Sequence, residues 1–491
     1  MSFLSKLRSM WPDRSVRRDY AAARDTRMTG AWHPTEQGIN DILRTSRRAV
    51  NARVRQLSRD MPQFNRAVNK GVEFAVGDGI HFSSNVKDPL TGKKDKNICT
   101  KIEDAFRWWS DECDISGKLH LHEMVALTER QFLECGEFIL VKDYLPAHGR
   151  ITPLAIRSVE PDWLDEGFST GSKTSDTALD QGIEFDKNTG RPMYYHFSSP
   201  AGWSDYDISK SVAVKADRVL HGFQPLRPGQ LRGISPYVAG VLMARSFHEL
   251  LGNELDGSAM ASKWLAFITK SDPLRAQMGF GKNADGDRIE ELQNGIIEYI
   301  NHGETVNLSS PNRPGDNFHA FAKLLNQLFA LATDTPYELL TEDYSGLNYT
   351  VLRAKRNDHE HALRVKWARL IRHQYQPLFN WFLDDAVLHG RLYLPNYFDN
   401  PYLYRAAKWQ PPGMAPIDPL REAKAAAENI ANGLMSPQRI TAARGIELED
   451  IYEEIREAED MRDKKGIVLG HPDVSMNTAP NEIEKKIGAS K

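Results

Sequence analysis

The chain has 491 residues, 41% hydrophobic and 26% charged, with 63 lysines and arginines against 66 aspartates and glutamates. That length allows about three domains of ~150 residues, and no apolar run approaches the ~18–20 residues that carry a helix across a bilayer. Three cysteines, Cys99, Cys113 and Cys135, without C-x-x-C spacing, argue against a disulfide framework or a zinc site and fit a reducing compartment.

Residues 1–39 read as a basic, extended arm broken by Pro12, Gly30 and Pro34, without the apolar core of a secretory leader. Arginines dominate from residue 6 to 70, while 447–463 is mostly acidic. Such asymmetry suggests an anionic partner at one end, or else a solvated basic helix face. Residues 40–74 carry apolar positions at helical spacing, and "VGDGI" (76–80) stops them with a turn, lacking the G-K-[ST] of a phosphate loop. Helices over 102–109 and 121–133 follow, the second ended by Gly136. "GEFILVKDYL", "IRSVEPDWL", "GIEFDKNTGRPMYYHF" and "VLHGF" then read as strands, the third as two joined by a turn at 187–190.

After "RPGQLRGISP", in which Ser235-Pro236 is a helix-start signal, residues 237–267 read as one helix of about 45 Å. Residues 273–314 read as irregular, with turns and short strands. A second helix spans 317–333 and ends at Thr335-Pro336. A polar loop, "TEDYSGLNYT", leads to a third helix over 349–388 that Pro377 should kink. Short helices over 418–431, from 437, and over 448–465 finish the chain.

Motifs for chemistry are poor. "NADGDRIEELQN" lacks the glycine and terminal glutamate of a calcium loop. His359 and His361, two apart, face different ways on a helix, and neither they nor "HLHEM" form H-E-x-x-H. Cys135 reads as a buried structural thiol. Ser345 in D-Y-S-G-L lacks the G-x-S-x-G elbow. No catalytic residue, metal or cofactor is expected.

"ECGEF", "VEPDWLD", "GIEFDKNTGRPMYYHF", "VLHGFQPLRPGQLRGISP", "GETVNLSSPNRPGDNF", "PYELLTEDYSGLNYTVLRAKR" and "IDPLREAKAAAENIANGLMSPQRITAARGIELEDI" stand in the order and spacing of lambda-type bacteriophage portal proteins, which the chain resembles over roughly 44–460. It departs from the family pattern at "WQPPGMAPIDP". The resemblance implies an α+β, mainly helical portal fold whose copies form a ring, usually of twelve subunits, around a central channel at a capsid vertex of the virion. Through it the terminase packages double-stranded DNA, which later leaves. Implied partners are the terminase large subunit, head–tail connector or adaptor proteins, and major capsid and scaffolding proteins, with no membrane.

The implied parts are an N-terminal arm (1–39), a wing (40–234), a stem helix (235–269), a clip (270–316), a second stem helix (317–335), a tunnel loop (336–349), a wing helix and connection (350–399), and a crown and tail (400–491). Tyr344, Ser345, Gly346, Asn348 and Tyr349 would line the channel, with Lys263 and Lys323 as further candidates. Two other readings compete. One is a nucleic-acid-processing enzyme with a basic DNA-binding N-terminal region and carboxylates among Asp285, Asp287, Glu290 and Glu291. The other is a helix-turn-helix regulator built on "SPQRITAARGIELEDIYEEI", whose second helix is acidic where a groove reader should be basic.

Overall fold

The computed structural model describes Pro34 and residues 36–466, except 147, 168, 170, 173–175, 199–210, 262–264, 271–303, 310–314, 316, 414–417, 443–445 and 447. Most of the expected clip and Lys263 therefore lie outside the described residues, as do Asp285, Asp287, Glu290 and Glu291. The single helical stretch expected over 40–74 is two helices, α1 (Ile39–Asp60) and α2 (Pro62–Val76). Pro62 is the cause: without an N–H, and crowding the preceding turn, it opens a helix but does not continue one. Both helices bury their apolar stripes, with Val54, Leu57, Phe64 and Val68 in the main core.

Strand β1 (His81–Ser84) follows a turn in which Gly77 and Gly79 take φ of 57° and 118°. Helix α3 (Lys96–Glu112) is capped by Asp95, which accepts from Ile98 N at 3.1 Å. Helix α4 (Leu121–Cys135) ends as expected on Gly136, at φ 82° with its N–H donating to Phe132 O. The strand region then runs β2 (Glu137–Tyr144), β3 (Leu154–Val159), β4 (Gly171–Ser172), β5 (Thr177–Asp180), β6 (Ile183–Asp186), β7 (Pro192–Phe197), β8 (Val212–Lys215) and β9 (Val219–Phe223). It forms an antiparallel sheet of order β3-β2-β9 and a five-stranded meander β4 to β8. The expected turn at 187–190 closes the β6–β7 hairpin, with Asp186 Oδ1 accepting from the N–H groups of Asn188 and Thr189.

The sheet region meets the next helices at a crossing of two glycines. A Cβ on Gly136 would fall 1.9 Å from the carbonyl carbon of Ile234, and one on Gly233 2.1 Å from Gly136 O, so the backbones touch. Around the crossing lies a buried charge cluster. Glu137 accepts from Arg232 Nη2 (2.6 Å), Arg47 Nη1 (2.8 Å), Gly233 N (2.7 Å) and His221 Nε2 (3.2 Å). Burial works against the charge on Glu137, but Arg232, then Arg47 and His221, outweigh it and hold the carboxyl well below the carboxylate range. The R-P-G-Q-L-R-G block thus provides the junction.

The long helix expected over 237–267 is shorter. A 3₁₀ turn at Val238–Gly240 leads into α5 (Val241–Ala261), about 31 Å at 1.5 Å per residue. Residues 265–270 form β10 (Leu265–Lys270), antiparallel to β11 (Glu304–Ser309). The run L-A-F-I-T-K is aromatic and β-branched and has a strand to pair with, which overrides the helical spacing. Helix α6 (Phe318–Ala332) and the short helix α7 (Tyr337–Thr341) precede α8 (Tyr349–Leu370). A π turn over Ile371–Tyr375 then joins α9 (Gln376–Leu388). Where a kink is expected at Pro377 the helix widens instead: the π turn, with Gln376 N bonding Ile371 O, relieves the clash a proline ring makes with the carbonyl four residues back.

The main core gathers around Phe106, whose ring lies 5.2 Å from Phe379 and 5.4 Å from Phe382. Past residue 390 the chain forms α10 (Pro401–Tyr404) and β12 (Ala407–Gln410), and β12 pairs antiparallel with β1. Helices α11 (Pro419–Ala431), α12 (Pro437–Ala442) and α13 (Leu448–Lys465) follow close to the expected bounds. No helix among the described residues is long and apolar enough to cross a membrane.

Candidate functional site

The segment between α6 and α8 carries the residues singled out from the sequence. Helix α6 ends at Ala332, and Pro336 is the N-cap of another helix, so the expected loop contains a short helix, α7. That helix stops at Glu342, in the left-handed region at φ 58°. Asp343 follows, and its Oδ1 accepts from both the N–H (3.1 Å) and the hydroxyl of Ser345. This is the side-chain-closed turn for which aspartate is suited. Gly346 takes φ 74°, and a Cβ there would meet nothing within 4 Å, so its role is backbone freedom alone. Asn348 Oδ1 accepts from Val351 N at 2.9 Å and caps α8.

Four acids of this segment each meet a base, and the bases come from three helices. Asp334 Oδ2 lies 3.3 Å from Lys366 Nζ on α8, Glu338 pairs with Lys355, Glu342 with Arg66 on α2, and Asp343 Oδ2 lies 3.2 Å from Lys323 Nζ on α6. Lys323, a lining candidate from the sequence, is thus tied to the loop, with its ammonium also 5.6 Å from the Tyr337 ring. Tyr344, Ser345, Gly346, Asn348 and Tyr349 are exposed and carry no charge. Tyr349 has the guanidinium of Arg421, on α11, 5.9 Å from its ring centre. Behind the segment is a cavity of about 550 Å³ walled by Phe74, Leu339, Tyr344, Leu352 and Trp367.

Sequence reasoning missed the four acids. Their positions, 334, 338 and 342–343, recur about every four residues in the sequence, but only Glu338 lies within α7, and the acids turn to bases on three different helices.

Ser345 is not set up as a nucleophile. Its hydroxyl donates to Asp343, whose carboxyl is held well below the ordinary range, first by that bond and then by the Ser345 N–H, Tyr337 and Lys323. A carboxylate so stabilised is a poor base. Cys135 is buried, and burial pushes its thiol up to about 12 even though Arg55 Nη2 lies 3.1 Å from the sulfur. No cluster of three or more potential metal ligands occurs among the described residues.

The arginine-rich stretch, read from the sequence as a sign of an anionic partner, is largely spent on internal pairs where it is described. Arg44 meets Asp180, Arg47 meets Glu137 and Glu166, Arg48 meets Glu166, Arg55 meets Glu160 and Asp162, and Arg66 meets Glu342. This is a correction to the basic-region reading, and it weakens the nucleic-acid-enzyme alternative. The arginines before residue 34 lie outside the described residues.

What stands at the loop is a set of contacts that hold a shape, carried on a mainly helical α+β body. The chain belongs to the lambda family of phage portal proteins: the model of that family, described as "Phage portal protein, lambda family", matches residues 25–365. It is 22% identical over 472 residues to the "Probable portal protein" of Halomonas phage phiHAP-1, covering 93% of this chain and 89% of that one. It is 19% identical over 469 residues to "Portal protein B" of Escherichia phage lambda, covering 88% and 87%. Among solved structures, the neck of an empty gene transfer agent particle aligns over 85% of this chain and 97% of the other, at 14% identity and a TM-score of 0.44.

Proposed function

We propose that copies of this chain form the ring of a portal vertex in the virion, that double-stranded DNA is packaged and ejected through it, and that segment 336–349 lines the channel. Residues 235–269 and 317–335 would form the stem, and 270–316 the clip, where the terminase and later the head–tail connector dock. The wing would be 40–234 and the crown 400–491. The chain itself would have no catalytic activity.

The observation that supports this reading best is the pairing of the loop's acids. With Asp334, Glu338, Glu342 and Asp343 all matched to bases, the exposed tip offers hydroxyls, an amide and aromatic edges, but no free charge. Each neutralised phosphate adds affinity by releasing counterions, so a basic tip would grip DNA and resist its movement. A neutral polar tip touches the duplex without that drag.

The test is deletion of residues 344–348. Rings with a central hole near DNA width should still appear in negative-stain images, while packaging or retention of DNA falls. Normal genome filling by that deletion would refute the lining role. A uniformly monomeric protein with metal-dependent nuclease activity would refute the portal reading altogether.

A further inference from the structure

The two oxygens of one carboxylate divide between two parts of the fold. Asp343 Oδ1 holds the tip, through the N–H and hydroxyl of Ser345. Asp343 Oδ2 holds the root, accepting from Lys323 Nζ of α6 at 3.2 Å and from the Tyr337 hydroxyl of α7 at 3.0 Å. An ionised carboxylate offers about four acceptor sites, and here four donors occupy them.

We propose that Asp343 is the positioning residue of the loop, a latch that makes the tip move with α6. The inference rests on reading this loop as the one that faces DNA, and it adds which helix the tip follows. The rest of the tip is loosely held. Among the described residues, its other hydrogen bonds are local: Leu347 N to Tyr344 O at 3.3 Å, and the Asn348 cap on Val351 N. The Gly346 turn is open on its side-chain face. Lys323 is the cation that reaches the latch from outside the segment, and α6 carries it. The Glu338–Lys355 and Glu342–Arg66 pairs fasten α7 to α8 and α2, but neither touches the tip. Displacing α6 therefore pulls directly on the turn at Ser345, whereas displacing α8 acts on the tip indirectly, through the backbone after Asn348 and through the Lys355–Glu338 pair to α7 and its Tyr337 hydroxyl.

The test places a nitroxide on Tyr344→Cys in the assembled protein, where the native cysteines are buried and stay unlabelled. The spectrum should contain an immobilised component. Asp343→Ala and Lys323→Met should each lose it, while Arg66→Met, which breaks a pair that does not reach the tip, should keep it. Lys323→Met tests the same latch should Asp343→Ala fail to fold. An unchanged spectrum in the two latch variants overturns the proposal, as does an equal loss in Arg66→Met, which would mean general loosening. DNA retention is measured on the same variants. A freed nitroxide with unchanged retention leaves the latch standing and removes the loop from the DNA path.

Discussion

Arg47 Nη1 lies 2.8 Å from Glu137 Oε1, and neither side chain is exposed to solvent. Arg232, equally buried, meets the same carboxylate at 2.6 Å, so one acid holds two arginines together where the sheet region joins α5, and Glu166, paired with Arg47 and 3.7 Å from Arg232, supplies the second negative charge. Breaking a buried pair from one side leaves an uncompensated charge, which costs about 3–5 kcal/mol. Glu137→Ala should therefore lower the unfolding free energy by about that much, read from denaturant curves. Because the folded carboxyl titrates well below its unfolded value of about 4.3, the contribution is complete above that pH and is lost only as the pH falls toward the folded value.

The glycine crossing beside this cluster gives a second expectation. Gly136→Ala would place a Cβ inside the Ile234 carbonyl group at a φ of 82°, and both the contact and the backbone conformation are unfavourable. Backbone on both sides leaves nothing free to yield. This variant should be among the most destabilised single substitutions, with loss of soluble, folded protein on expression, while Gly92→Ala, where a Cβ meets nothing within 4 Å but φ is also positive, should cost about 1 kcal/mol.

His122 sets a pH dependence. Burial, then the nearby His120 and His81, push its pKa down to about 4, and Nδ1 lies 3.1 Å from the Tyr375 hydroxyl. Below pH ~6.5 the unfolded chain binds a proton that the folded chain refuses, so stability falls as pH drops from about 6.5 to 4, by up to roughly 3 kcal/mol. Above 6.5 the residue contributes no slope. Thermal melts across this range should flatten in His122→Asn, and an equal slope in that variant would assign the effect elsewhere.

The thiols provide a simple check. Cys99, Cys113 and Cys135 are free and buried, and burial pushes Cys113 and Cys135 up to about 12. A colorimetric thiol reagent at pH 8 should find none of them in the folded protein and all of them after denaturation.

The sequence was readable wherever the cause of a structure was local. Gly136 ending α4 and the hairpin turn at 187–190 stood where the residue types implied, and Asn348 capping α8 and Asp186 closing that turn are equally short-range hydrogen bonds. The region's strand character came from β-branched and aromatic runs. What could not be read was long-range. Arg47 looks like one more exposed base in an arginine-rich helix until Glu137 and Glu166 arrive from far along the chain. Residues 265–267, placed at the end of a helix for want of a proline to stop it, belong to a strand that pairs with 304–309. At the loop, Tyr344 and Ser345 drew attention because their chemistry is visible, while Asp343, which organises them, is an ordinary acid in the sequence and gains its role from Lys323 and Tyr337.

The pairing of β1 with β12 sets a schedule for making this protein. His81 waits for Gln410 and Phe82 for Trp409. At about 5–20 residues per second, the ribosome delivers the second strand roughly 15–65 s after the first. For that interval each nascent chain displays an edge strand beside the unfinished aromatic core around Phe106. The yield of assembled protein should therefore depend on how well the host shields that edge during translation.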